Sequence, residues 1–120
     1  VDIFSFLADY VGENKGLNPA DSPDGYSFAD VIKNPKSAYK RPPLVHRDAK
    51  GRKAVRFDNW KYIESINANS KKADDKEMLF DYANDISESK NVIEEQKKQA
   101  NKARQYLEQI VTAPSKNNWK

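Results

Sequence analysis

The residues able to do chemistry fall in two stretches. Arg56-Phe57-Asp58-Asn59-Trp60 is followed, thirty residues after its aspartate, by Glu88-Ser89-Lys90. Two carboxylates can hold a hard cation such as Mg2+ against a phosphodiester, and a lysine can position or activate the attacking water. On this pattern Asp58 is the first metal ligand, Glu88 the second, Lys90 the catalytic lysine, and Gln96 a helper on the helix that follows. His46 supports a different, metal-free ribonuclease route. A histidine beside lysine or arginine can deprotonate a ribose 2′-hydroxyl and stabilise the developing phosphorane. His46 lies between Arg41 and Arg47 and is the chain's single histidine, so Lys40, Asp58 or Tyr39 would have to share the acid and base roles.

Charge says where an anion would be met. The formal net charge of +3 is unevenly spread: residues 1–35 sum to −4, residues 36–56 to +7 and residues 57–120 to zero. The basic block contains Lys36, Lys40, Arg41, Arg47, Lys50, Arg52, Lys53 and Arg56 against Asp48 alone. Such a block concentrates positive potential and can neutralise phosphates with release of their counterions. Four of its cations are arginines, the better phosphate fork, and Tyr39 and His46 offer flat surfaces for base stacking. Nucleic acid is the expected partner, and an acidic protein would satisfy the same field.

The stretch Gly51-Arg52-Lys53-Ala54-Val55-Arg56-Phe57-Asp58-Asn59-Trp60, with Glu88-Ser89-Lys90-Asn91-Val92 leading into a Gln- and Lys-rich helix, resembles nuclease toxin domains of bacterial polymorphic and contact-dependent growth inhibition systems. That resemblance implies secretion as part of a larger protein, cleavage of DNA or RNA in the cytoplasm of a target cell, and an acidic immunity-type protein as partner. The competing expectation is a non-enzymatic interaction module that uses residues 36–56 to hold nucleic acid or an acidic protein.

These residues need a frame. Ile3, Phe4, Leu7, Ala8 and Val11 form the stripe of a short amphipathic helix. Residues 12–25, with three of the four glycines and two prolines, read as a loop. Ser27 is suited to cap a second short helix, with Phe28, Val31 and Ile32 inward and a stop at Asn34-Pro35. Arg41-Pro42-Pro43 excludes a helix. Leu44-Val45-His46, the turn Asp48-Ala49-Lys50-Gly51 and Lys53 to Phe57 then read as a hairpin that sets the basic arms side by side. Trp60 to Ile66 fits either a strand or a helix. Met78, Leu79 and Tyr82 have helical spacing, and Ile86, Ile93, Ala100 and Leu107 recur every seven residues, which predicts a helix running to about Val111 before Pro114. The triplet Glu88-Ser89-Lys90 therefore falls on a strand or in the first turn of that helix.

The expected architecture is a single α+β domain over 1–120. It has a helical N-terminal part (1–35), a basic sheet or hairpin in the middle (36–66), a helical C-terminal part (76–111) packed on it, and a tail (112–120). The length and the thirteen aromatic residues support one modest core. The absence of cysteine excludes disulfides, thiolate metal sites and a cysteine nucleophile. No glycine-rich phosphate loop and no histidine cluster is present. No apolar run approaches the ~20 residues that span a bilayer, so no membrane insertion is expected. The start at Val1, without methionine, is that of a fragment or a processed product.

Overall fold

Strict alternation in Lys53–Phe57 puts Val55 and Phe57 on one side of an extended segment and Ala54 and Arg56 on the other, and both sides find partners. The computed structural model, which describes residues 2–12, 25–36, 40–67 and 69–113, builds this segment into a four-stranded antiparallel sheet. The strands are β1 (Leu44–Arg47), β2 (Lys53–Phe57), β3 (Trp60–Ile63) and β4 (Met78–Asp81), hydrogen-bonded in chain order. Among the described residues there are also three α-helices, α1 (Asp2–Tyr10), α2 (Ala29–Lys33) and α3 (Lys97–Thr112), and a 3-10 turn over Ala73–Asp75. The architecture is α+β, with a central sheet, short N-terminal helices and a C-terminal helix. Among the described residues no helix is long and apolar enough to cross a membrane.

The chain divides into two compact units, one formed by residues 1–41 with 114–120, the other by Pro42–Ala113. In the first, Phe6 stacks on Phe28 with ring centroids 4.4 Å apart. The Ser27 hydroxyl donates to Asp9 at 2.7 Å and accepts from the Ala29 amide at 3.2 Å, but the N-cap of α2 is Phe28 and not Ser27, and Ile32, expected to face inward, is exposed. The α1 stripe does not form a core as its spacing suggests: Ile3, Phe4, Leu7 and Val11 are exposed, and no residue of α1 is buried. The loop expected over 12–25 lies outside the described residues except at its ends, as do Tyr39 and positions 114–120 of the expected tail.

The second unit holds the main core. Val55, Phe57, Tyr62 and Leu79 from the sheet pack against Ala100, Ala103 and Leu107 of α3. The register sets Val55 opposite Tyr62 and Tyr62 opposite Leu79, so one sheet face meets the helix. The other face carries Arg56, Lys61 and Phe80 side by side.

Two helical expectations are corrected. Residues 76–83 contain strand β4 (Met78–Asp81) and no helix, because this four-residue segment, hydrogen-bonded to β3, buries both Leu79 and Phe80, one on each face. A helix that short is marginal without tertiary support. The C-terminal helix begins at Lys97, about one turn after Ile93 and about three turns after Ile86, so neither isoleucine is a seam position on it. Residues 84–92 are held by other bonds. Asp85 accepts from the Ser87 and Ser89 hydroxyls and the Lys90 amide, while the Asn91 side chain accepts from the Leu79 amide and Val92 donates to the Leu79 carbonyl. Asp, Ser and Asn side chains compete with a helix for backbone groups in this way. The outer edge of β4 is thereby covered at Leu79, and Ile86 is left 78% exposed. Glu88-Ser89-Lys90 lies in this loop, on neither strand nor helix.

Candidate anion-binding surface

The hairpin that carries the cations is built by two turns. In the first, the Asp48 carboxylate accepts from the amides of Lys50 (2.8 Å) and Arg52 (2.9 Å), and Gly51 takes a φ of 83° that strongly favours glycine. In the second, Asp58-Asn59 joins β2 to β3 with Asp58 at a φ of 47°, the left-handed opening that two-residue hairpin loops require. Pairing follows directly: Arg47 opposes Lys53, His46 opposes Ala54, and Arg56 opposes Lys61.

This register divides the basic arms between two faces. Arg47 and Lys53 point to the side of Val55, whereas His46 and Arg56 share the other face with Lys61. The cations also differ in their partners. The Lys53 ammonium is held by both oxygens of Glu64 at 2.7 and 2.9 Å. Arg41, in the N-terminal unit, forks onto Asp2 through Nε and Nη2 (3.0 and 2.8 Å) and lies over the Tyr26 ring. Lys36 and Lys40 are exposed in that same unit. In the sheet unit, His46, Arg47, Lys50 and Arg56 are exposed and Arg52 is half-buried.

The proposed catalytic residues are not brought together. Asp58 pairs with Lys102 at 3.1 Å, and Lys102 lies over the rings of Phe57 and Tyr106 on the helix side of the sheet. Glu88 pairs through both oxygens with Lys61 (2.7 and 2.8 Å) and accepts from the Tyr82 hydroxyl, on the opposite side. Lys90 pairs with Glu95 at 2.9 Å. Gln96 sits at the N-cap of α3, beside a cleft of about 410 Å3 that Trp60, Asp81 and Lys90 also line. Among the described residues no three His, Cys, Asp or Glu side chains converge to hold a metal.

Two polar networks were not legible in the motif reading. The Tyr62 hydroxyl donates to Glu77 at 2.6 Å, and Arg104 of α3 bonds the same carboxylate through Nε (3.0 Å) and Nη2, tying sheet to helix. Burial, reinforced by the Glu77 charge, pushes the Tyr62 hydroxyl well above its ordinary range. The second network is Lys61, Glu88 and Tyr82, with the Arg56 guanidinium 4.5 Å from the Tyr82 ring centroid. The usable signal for it is the two-residue Asp58-Asn59 loop, which places Lys61 opposite Arg56 once the turn is recognised.

The carboxylates in these networks predict the acid response. Arg104 holds Glu77 below its ordinary value against the opposing effect of burial. For Glu88, burial acts upward, but the hydrogen bonds from Lys61 and Tyr82 outweigh it and the net shift is downward. Asp85 is lowered to about 2, chiefly by the amides of Lys90 and Ser89. Each group binds protons more weakly folded than unfolded, so its stabilisation is complete above the unfolded values of 3.8 for Asp and 4.5 for Glu and is lost as pH falls through its lowered folded value, which for Asp85 is about 2. Denaturant midpoints should be flat down to about pH 5 and drop below it. Asp85→Asn should remove the lowest part of that acid limb.

No protein-family model matches the sequence, and no curated protein matches it. Solved structures do. One is a Bacteroides thetaiotaomicron chain designated 6S-sulf, from the metabolism of multiple glycosaminoglycans, with a TM-score of 0.68 and 25% identity over 92% of this chain. The fold is shared with a sulfatase-related protein. A second chain of the same organism and metabolism, designated 4S-sulf, matches 93% of this chain with a TM-score of 0.58 and 18% identity. The chain spans about a quarter of the length of these sulfatase-related chains, 24% and 27% respectively. The resemblance to nuclease toxin domains is corrected accordingly. The half-chain motif similarity that suggested it gives way to a fold shared over nine-tenths of the chain, and the Glu88-Ser89-Lys90 triplet sits in a loop whose charges are paired locally. The immunity-type partner implied by that resemblance loses its basis.

Proposed function

We propose that this chain is a sheet-and-helix module of sulfatase type that contributes contacts to a sulfated polysaccharide through its basic hairpin. The observation that carries this reading is the match over 92% of the chain to the glycosaminoglycan-metabolism 6S-sulf chain. Charge supports it. A glycosaminoglycan is a polyanion, and the exposed Arg47, Lys50 and Arg56 present positive potential on a rigid two-stranded support. Nucleic acid would meet the same field, so sulfation has to be the variable tested. Phosphodiester cleavage by Asp58, Glu88 and Lys90 with Mg2+ has no arrangement in its favour, since these side chains occupy three separate ion pairs.

The test is retention on immobilised heparin compared with fully desulfated heparin, with duplex DNA as competitor. The wild-type chain should be retained only by the sulfated resin and elute with salt, as expected of polyanion contacts. Arg47→Glu with Lys50→Glu should abolish retention while leaving the circular dichroism unchanged, both side chains being exposed. Equal retention on both resins, or displacement by DNA at equal charge, would refute the reading.

A further inference from the structure

We propose that Arg56, seated on the Tyr82 ring, is the residue that grips an individual sulfo group, and that Tyr82, Glu88 and Lys61 are positioning residues that hold it ready. The proposal rests on the sulfated-polysaccharide reading above and names the site within it.

Arg56 differs from the other cations of the hairpin in combining exposure with a fixed seat. Its guanidinium carbon lies 4.5 Å from the Tyr82 ring centroid, a stacking distance that restrains the long side chain without consuming its N–H donors. It makes no ion pair among the described residues, whereas Lys53 is engaged by Glu64. The seat is fixed in turn. The Tyr82 hydroxyl donates to Glu88, whose two oxygens are gripped by Lys61, and the Lys61 and Glu88 side chains are only 20% and 29% exposed. Burial and the hydrogen bond to Glu88 raise the Tyr82 hydroxyl, so the phenol keeps the proton with which it makes that bond. Glu88, the carboxylate that accepts from the Tyr82 hydroxyl, has its charge balanced by Lys61. The result is a planar five-donor fork held in one place, the geometry suited to bidentate recognition of an oxyanion. His46 lies on the same face, on β1 opposite Ala54, and adds a hydrogen-bonding group along the sheet.

The experiment titrates the full chain calorimetrically with a heparin-derived tetrasaccharide and with its fully desulfated counterpart. Arg56→Ala should weaken tetrasaccharide binding about tenfold, close to 1.4 kcal/mol. Arg56→Lys should lose nearly as much, because an ammonium keeps the charge but neither the fork nor the stack. Lys98→Ala, at an exposed lysine of α3 outside the hairpin, should change affinity less than about threefold, as expected of an exposed single charge. Tyr82→Phe should retain most of the affinity and Tyr82→Leu should lose several-fold, which separates a positioning ring from a general effect of folding. Equal losses in Arg56→Ala and Lys98→Ala, or full affinity in Arg56→Lys, would overturn the assignment and leave diffuse charge as the cause. Equal binding of the desulfated sugar would overturn it in favour of the uronate carboxylate. Failure of the wild-type chain to bind any sulfated sugar would refute the underlying reading, whereas binding that survives Arg56→Ala refutes only the site.

Discussion

Replacing Leu79 by alanine should destabilise the Pro42–Ala113 unit by about 2–5 kcal/mol, the range for deleting a large aliphatic side chain from a packed core. Leu79 is fully buried, is one of the two largest side chains with that status among the described residues, and lies opposite Tyr62 on the edge strand of the sheet face that α3 covers. Its backbone is also tied on both sides, to β3 by the ladder and to Asn91 and Val92 at the outer edge, so the surrounding chain has little freedom to collapse into the space. Against a total stability of ~5–15 kcal/mol this is a large fraction. The control is Ile86→Ala. The seven-residue spacing gives Ile86 the same standing as Ala100 and Leu107, but its 78% exposure predicts a change within ~0.5 kcal/mol. Urea unfolding followed by circular dichroism should separate the two variants widely, and similar midpoints would mean that Leu79 is not a tightly packed core residue.

The second large effect concerns the helix. Ala103 is completely buried and Ala100 nearly so, and these small side chains set how closely α3 approaches Val55, Phe57 and Tyr62. Ala103→Leu should cost about 1–3 kcal/mol, because the added methylenes have to push the helix off the sheet or force neighbouring side chains from their rotamers. Leucine and alanine are both good helix formers, so intrinsic propensity accounts for little of this. Gln105→Leu, on the exposed side of the same helix, should leave the thermal midpoint nearly unchanged. The displaced helix should also disturb Arg104 and its hydrogen bonds to Glu77, which would register as a shallower loss of stability on acidification below the ordinary glutamate value in Ala103→Leu. An unchanged midpoint in Ala103→Leu would show that the helix packs more loosely than its burial implies.

The basic hairpin takes on a narrower meaning in the folded chain. Eight cations within twenty-one residues suggest one positive surface, but the folded chain divides them between two units and, within the sheet, between two faces. Some carry a local structural duty, as Lys53 does with Glu64. Exposure and a fixed seat, not proximity in sequence, distinguish Arg56.

Much was determined by the sequence alone. Alternation in Lys53–Phe57, the turn residues Asp48 to Gly51 and the proline pair ahead of Leu44 specify the hairpin, because their causes lie within a few residues of one another. The short N-terminal helices, the α+β class and the segregated charge were likewise legible from local periodicity and composition. Tertiary structure alone decided the identity of Met78–Asp81, whose helical spacing yields to the hydrogen bonds offered by β3, and the start of α3, which waits until Asp85 and Asn91 have satisfied the backbone before it. It also decided the fate of the carboxylates. Asp58 and Glu88 read as a metal pair because sequence records residue type and spacing, while a charge is assigned to its partner by distance in three dimensions. Here Lys102, from the far end of the chain, reaches Asp58, and Lys61, from the adjacent strand, reaches Glu88.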